Sequence, residues 1–185
     1  EADPKNAGAW YNWSIALGKL ADLEEDDGEK QELFREACEK SAKAVEADPK
    51  YPLIWSNWGN DLGQLADLEE DDGKKRELRH EACEKYAKAV EAEPKNARAW
   101  FNWGVTLGQL ADLEEEDEKK RELHREACEK YDKAVEADPK KAGAWYNWGV
   151  TLERLSDLEE DALKKRKLLR EACEKYAKAV EADPK

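Results

Sequence analysis

Ala47-Asp48-Pro49-Lys50 decides how this chain is read, because the same words return at a fixed interval. Ala-Asp-Pro-Lys also stands at residues 2–5, 137–140 and 182–185, and Ala92-Glu93-Pro94-Lys95 fills the remaining place. Pro4, Pro49, Pro94, Pro139 and Pro184 follow one another at 45 residues each time. A constant period of this length marks a solenoid, in which each unit contacts chiefly its neighbours. It divides the 185 residues into repeats at 4–48, 49–93, 94–138 and 139–185, one continuous array rather than separate domains.

Working outward from the proline, each repeat reads as two helices. Trp10, Trp13, Leu17, Leu20 and Leu23 fall at helical spacing on one face. Asn6 and Asn96 are suited to N-cap positions, and Tyr51-Pro52 puts proline at a first helical residue, where its missing N–H costs nothing. The second helix carries Leu33, Ala37, Cys38, Ser41, Ala44 and Val45 on one side, with Tyr86, Tyr131 and Tyr176 at the Ser41 position of the other repeats. Glu36–Lys40 and Glu39–Lys43 lie at i, i+4 with glutamate first, the favourable order, and read as a solvated face. Asp-Pro then stops the helix, since proline disfavours helical geometry in the residue before it. Asp26-Asp27-Gly28 and Asp71-Asp72-Gly73 are turn signals. Repeat three has Glu116-Asp117-Glu118 instead, and repeat four has Asp161-Ala162-Leu163, without glycine. A turn near residue 27 gives two helices of about 20 residues, ~30 Å each.

Composition narrows the function classes. Charged residues make up 42% of the chain, a level found in disordered proteins. The eight tryptophans argue for a folded chain, for they recur as pairs at i, i+3: Trp10/Trp13, Trp55/Trp58, Trp100/Trp103 and Trp145/Trp148. A net charge of −13 makes nucleic acid and anionic membranes poor partners, since both need a basic footprint. No apolar run has the length of a membrane span. With no methionine and no signal peptide, the chain reads as a processed product, a fragment of a longer array or a design.

Cys38, Cys83, Cys128 and Cys173 also recur once per repeat, which is neither a disulfide framework nor a metal-ligand spacing. They read as reduced, buried core thiols of a cytoplasmic, reducing compartment. His80–Cys83 and His124–Cys128 have helical spacing, but each histidine occurs in one repeat only, so both are expected at the surface and no metal is expected. The acidic stretch Glu24-Glu25-Asp26-Asp27 and its equivalents lack the loop pattern of a calcium site. Lys74-Lys75-Arg76 and Lys119-Lys120-Arg121 follow it, which favours local charge pairing. No Ser/His/Asp set, phosphate loop or isolated acid pair is present, so neither an enzyme nor a cofactor is expected.

Ala9-Trp10-Tyr11-Asn12-Trp13, Ala37-Cys38-Glu39-Lys40 and Ala44-Val45-Glu46-Ala47-Asp48-Pro49 resemble the tetratricopeptide repeat. So do Ala99-Trp100-Phe101-Asn102-Trp103-Gly104 and Ala144-Trp145-Tyr146-Asn147-Trp148-Gly149. Trp103-Gly104, Ala127, Tyr131, Ala134 and Pro139 match the family pattern, with Trp in place of Leu. The repeat here is longer than the family's by roughly 11 residues, which fall between Leu17 and Ala37. Plant-type mitochondrial import receptors of the Tom20 kind have similarly lengthened repeats. The resemblance implies an all-α, right-handed superhelical solenoid of four helix-turn-helix repeats, acting as a protein- or peptide-binding scaffold.

Such arrays bind peptides on a concave face lined by their first helices. The residues implied for that face are Tyr11, Ile15 and Lys19; Ser56, Asn60 and Gln64; Arg98, Phe101, Val105 and Gln109; and Tyr146, Val150 and Arg154. This apolar and aromatic row suits a groove for an apolar segment; it equally suits packing between neighbouring first helices. The family's clamp for a chaperone tail uses Lys, Asn and Arg to hold a terminal carboxylate. Only Asn60 fits it, so the clamp is not expected. The competing reading is a purely structural or designed array without a native ligand. It carries an expectation of its own: the second helix of the last repeat exposes Ala172, Cys173, Tyr176, Ala179 and Val180, complementary to the first helix around Trp10. The chain opens and closes on Glu-Ala-Asp-Pro-Lys, so head-to-tail self-association is expected.

Overall fold

The computed structural model describes residues 6–183; residues 1–5 and 184–185, which carry the first copy of the repeated words and the end of the last, lie outside the described residues. Among the described residues there are eight helices and no strand. They are α1 (Ala7–Leu23), α2 (Asp27–Ala47), α3 (Pro52–Leu68), α4 (Asp72–Ala92), α5 (Ala97–Asp112), α6 (Asp117–Ala137), α7 (Ala142–Asp157) and α8 (Ala162–Ala182). The chain divides into two compact units, Glu1–Pro94 with α1 to α4 and Lys95–Lys185 with α5 to α8. In each unit two helical hairpins pack side by side: α1/α2 with α3/α4, and α5/α6 with α7/α8.

The capping chemistry sets the helix starts. Asn6 Oδ1 accepts from the Ala9 N–H at 2.9 Å, and Asn96 Oδ1 from the Ala99 N–H at 3.0 Å, while Pro52 is the first residue of α3. The turn within each hairpin comes before the glycine, not at it. Asp26, Asp71 and Asp161 are N-caps whose carboxylates accept from the N–H three residues on, so Gly28 and Gly73 sit inside the first turns of α2 and α4. This is why repeat four turns without a glycine. The acidic tips are used locally too. Glu24 Oε1 accepts from the Glu25 and Asp26 N–H groups at 2.8 and 3.2 Å. The Asp26 N–H and then the Glu25 N–H hold its carboxyl below the ordinary range.

The two tryptophans of each first helix pair with each other and with lysines of the second helix. Each pair stacks nearly parallel, with ring centroids 5.6 to 5.8 Å apart. Lys40 lies over Trp13 at 4.7 Å, Lys85 over Trp58 and Lys130 over Trp103 at 4.2 Å, and Lys175 over Trp148 at 3.5 Å. These lysines also meet the glutamate four residues before them, as Lys40–Glu36 does at 2.8 Å. The Glu–Lys face expected to be solvated is therefore partly a lid on the indoles, and Lys40 is buried. The long aliphatic stem covers the ring while the ammonium meets its π face, a cation–π contact.

Between hairpins of unit one, Phe34 of α2 packs with Leu65 of α3 and Ala21 of α1, and Leu33, Leu68 and Leu78 close round them. Gln31 Nε2 donates to the Leu68 carbonyl at 2.7 Å across the same junction. In unit two Arg121 Nε donates to the Leu158 carbonyl at 3.2 Å, at the equivalent place. The cysteines depart from the expected fully buried thiols. Cys38, Cys83 and Cys128 are half-buried and Cys173 is exposed, none of them in a disulfide, because the cysteine lies at the hairpin junction rather than in the hairpin core. Burial there pushes the Cys128 thiol up to about 12 and raises Cys38 as well. The Trp58 indole faces Cys38, and Trp148 faces Cys128.

Candidate protein-binding surface

The first helices of each unit lie next to one another, α1 by α3 and α5 by α7. In unit one the face they form is largely taken up internally. Tyr11 meets the Tyr51 ring edge-on, centroids 5.5 Å apart, and Ile15 is half-buried. Ser56, where the other repeats carry an aromatic ring, is buried. Asn60 Oδ1 accepts from the Tyr86 hydroxyl at 3.0 Å, so the one residue matching the carboxylate clamp is held by its own hairpin. Lys19 and Gln64 are exposed.

A feature missed in the sequence lies beside them. Asp61 is buried, on the register where repeats three and four have Thr106 and Thr151. Gly18 faces it closely: a Cβ there would stand 3.3 Å from Asp61 Oδ1. Asn57 Nδ2 donates to Asp61 Oδ2 at 3.2 Å. Burial, with Asp22 nearby, pushes the carboxyl up to about 8, so it holds its proton at neutral pH. The only sequence signal was the loss of threonine from the 45-residue register.

In unit two the face is more open. Tyr146 is 55% exposed and leans on Tyr176, centroids 5.7 Å apart. Val105, Gln109 and Val150 are half-buried, and Arg98 is exposed. Phe101 is half-buried: its ring meets Tyr131, the Lys141 ammonium sits 4.9 Å above it, and Gly143 leaves room for its edge. Arg154 forms a two-pronged ion pair with Asp112 at 2.8 and 2.9 Å, tying α7 to α5. Thr106 and Thr151 turn back to the Asn102 and Asn147 carbonyls.

Next to that ion pair is a cleft of about 360 Å³, lined among others by Asp112, Lys120, His124, Arg154 and Asp157. Here the surface expectation for histidine fails for one of the two. His80 is exposed, but His124 is buried, because it occupies the inward register of Arg79 in unit one. Arg79 donates to Asp67 at 2.7 Å. In unit two Arg154 has taken Asp112, the counterpart of Asp67. Burial, then the Arg154 guanidinium, lower the His124 pKa and keep the ring neutral. Among the described residues no group of three or more His, Cys, Asp or Glu could hold a metal ion, and no helix is long and apolar enough to cross a membrane.

Antiparallel hairpins of stacked helices, with an aromatic row on the first helices, define a helical-repeat protein of the tetratricopeptide type. The chain belongs to the family described as the plant specific mitochondrial import receptor subunit TOM20, whose pattern matches residues 76–185, more than half its length. No curated protein sequence matches it. Among solved structures, the crystal structure of MamA is similar with a TM-score of 0.62 at 19% identity, covering 98% of this chain and 81% of that one. MamA from Desulfovibrio magneticus RS-1 gives 0.63 at 19%, covering 97% and 77%. The first TPR of Spaghetti (RPAP3), bound to the HSP90 peptide SRMEEVD, gives 0.53 at 16%, covering 78% and 94%. At such identities these likenesses establish the fold.

Proposed function

We propose that this chain is a non-catalytic protein-binding scaffold that takes a protein segment on the face of α5 and α7. Its family supports the reading, being described as import receptor subunits, and a receptor works by recognising another protein. So does the solved relative that holds a peptide. The observation that carries the site is Tyr146. It leans on Tyr176 of its own hairpin, yet more than half of the ring stays open beside the half-buried Val150, and exposed aromatics of this kind mark interaction surfaces. Phe101 and Val105 continue the surface onto α5, and Arg98 and Gln109 border it. In unit one the same face serves packing. Four cysteines outside any disulfide accord with a reducing, cytoplasmic setting.

The test is a peptide array probed with the chain and with its Tyr146→Ala and Val150→Lys variants. Bound peptides should lose affinity about tenfold or more with either variant while helicity is kept. Unchanged affinity would move the site elsewhere.

A further inference from the structure

Two helix faces of this chain are open where their repeats elsewhere are closed. In α3 and α7 the face turned to the preceding hairpin is covered: Leu65 is 5% exposed and Leu155 7%. Leu20 holds the same register in α1 and is 52% exposed. Trp13 and Leu23 beside it are exposed as well. The complementary face lies on second helices. Val135 of α6 is 5% exposed, while Val180, at its register in α8, is 70% exposed. Leu169 is exposed where α2 has the buried Phe34.

The polar groups are open in matching pairs. Gln31 and Arg121 donate across the hairpin junction to the carbonyls of Leu68 and Leu158. Arg166 holds that register in α8, is exposed, and makes no hydrogen bond or ion pair with a described residue. Leu23 holds the register of the accepting residue in α1. Cys38 and Cys128 face the indoles of Trp58 and Trp148; Cys173 and Trp13, at the same registers, are both exposed. Charge adds direction. From 162 to 170 α8 carries Lys164, Lys165, Arg166, Lys167 and Arg170 with no acid, whereas Leu20 and Leu23 of α1 stand in sequence among Asp22, Glu24 and Glu25, with Lys19 the one base from 17 to 25.

We propose that the occupant of the open α1 face is the α8 face of a second copy of this chain, repeating between molecules the junction that α2 makes with α3 and α6 with α7. Leu169 packs against Leu20 as Phe34 does against Leu65, and Arg166 reaches the Leu23 carbonyl. The contact is heterologous, so each molecule keeps one face of each kind and association need not stop at two. It is separate from the α5/α7 surface and stands whether or not that surface binds a peptide.

Sedimentation velocity from micromolar to millimolar concentration tests this with two variants, Leu20→Lys on α1 and Val180→Lys on α8. Both positions are solvent-exposed, and circular dichroism checks that each variant is folded. The unchanged chain should grow with concentration into dimers and longer species. Each variant alone should stay monomeric, its association weakened about tenfold or more. An equimolar mixture should form a dimer and nothing larger, because only one intact α1 face and one intact α8 face remain. A chain that is monomeric throughout overturns the proposal. So does a variant that still dimerises alone, which is the mark of a symmetric contact, and so does a mixture that does not associate.

Discussion

The ring of Tyr131 fills the space that a side chain on Gly104 would take: a Cβ there would stand 2.7 Å from Tyr131 Cε1 and 2.9 Å from Cδ1. Gly59 with Tyr86 and Gly149 with Tyr176 repeat the relation, at 2.7 and 2.6 Å. The first hairpin has Ser14 and Ser41 at these registers, both buried. Residue size is thus matched across the two helices of a hairpin: glycine against tyrosine, or serine against serine.

Gly104→Ala should therefore destabilise the chain by up to about 2 kcal/mol, because overpacking at about 1–3 kcal/mol is set against a helix-propensity gain of about 1 kcal/mol. In a Tyr131→Ser background the same change should be neutral or stabilising. Urea titration of the four proteins gives the coupling; equal effects of Gly104→Ala in both backgrounds would refute the size match.

Asp61→Thr, which restores the residue type of Thr106 and Thr151, should stabilise the chain at neutral pH by about 1–3 kcal/mol, the cost of a poorly satisfied buried polar group. The sign over pH follows from the raised folded pKa. Asp61's contribution is present in full below the unfolded carboxyl value of 3.8 and is lost as pH rises through about 8. Denaturation midpoints of the two proteins should converge in acid and separate toward pH 8. A constant difference would mean that Asp61 does not hold its proton.

His124 gives the opposite slope. Its folded pKa lies below the ordinary 6.5, so its contribution is complete above that value and is lost as pH falls through the folded pKa. Asp112 on α5, Lys120 on α6 and Arg154 and Asp157 on α7 surround the cleft, and Arg154 already holds Asp112. His124→Leu, the residue type of Leu169, should flatten the acid side of the stability curve. Thermal melts between neutral pH and pH 5 decide it; an unaltered acid slope would remove His124 as its source.

Trp58→Ala should cost more than Trp13→Ala. The Trp58 ring is half-buried at the hairpin junction under Lys85, while Trp13 is exposed with Lys40 across it. A core tryptophan deletion costs ~3–5 kcal/mol, and the exposed ring should cost well under half of that. The comparison belongs at micromolar protein, below the range in which molecules associate; comparable losses in urea titrations there would refute the difference in burial.

Sequence by itself determined the helices. The 45-residue proline spacing, the asparagine caps and Pro52 act within one or two turns of chain, so they are legible without knowing any neighbour. The tetratricopeptide resemblance follows from the same local words. What only the tertiary structure decided is which side chains face a second helix. Lys40 reads as a surface ion pair and lies over Trp13; His124 reads as surface and is buried; Ala172 reads as exposed at the open end of α8 and is buried; Asn60 is taken by Tyr86. Each depends on a residue more than a full helix away in the chain, or on whether a neighbouring hairpin covers the face. Helical periodicity places a residue on a side of its own helix, but burial is a property of what stands opposite, and the partner is fixed only when the hairpins pack.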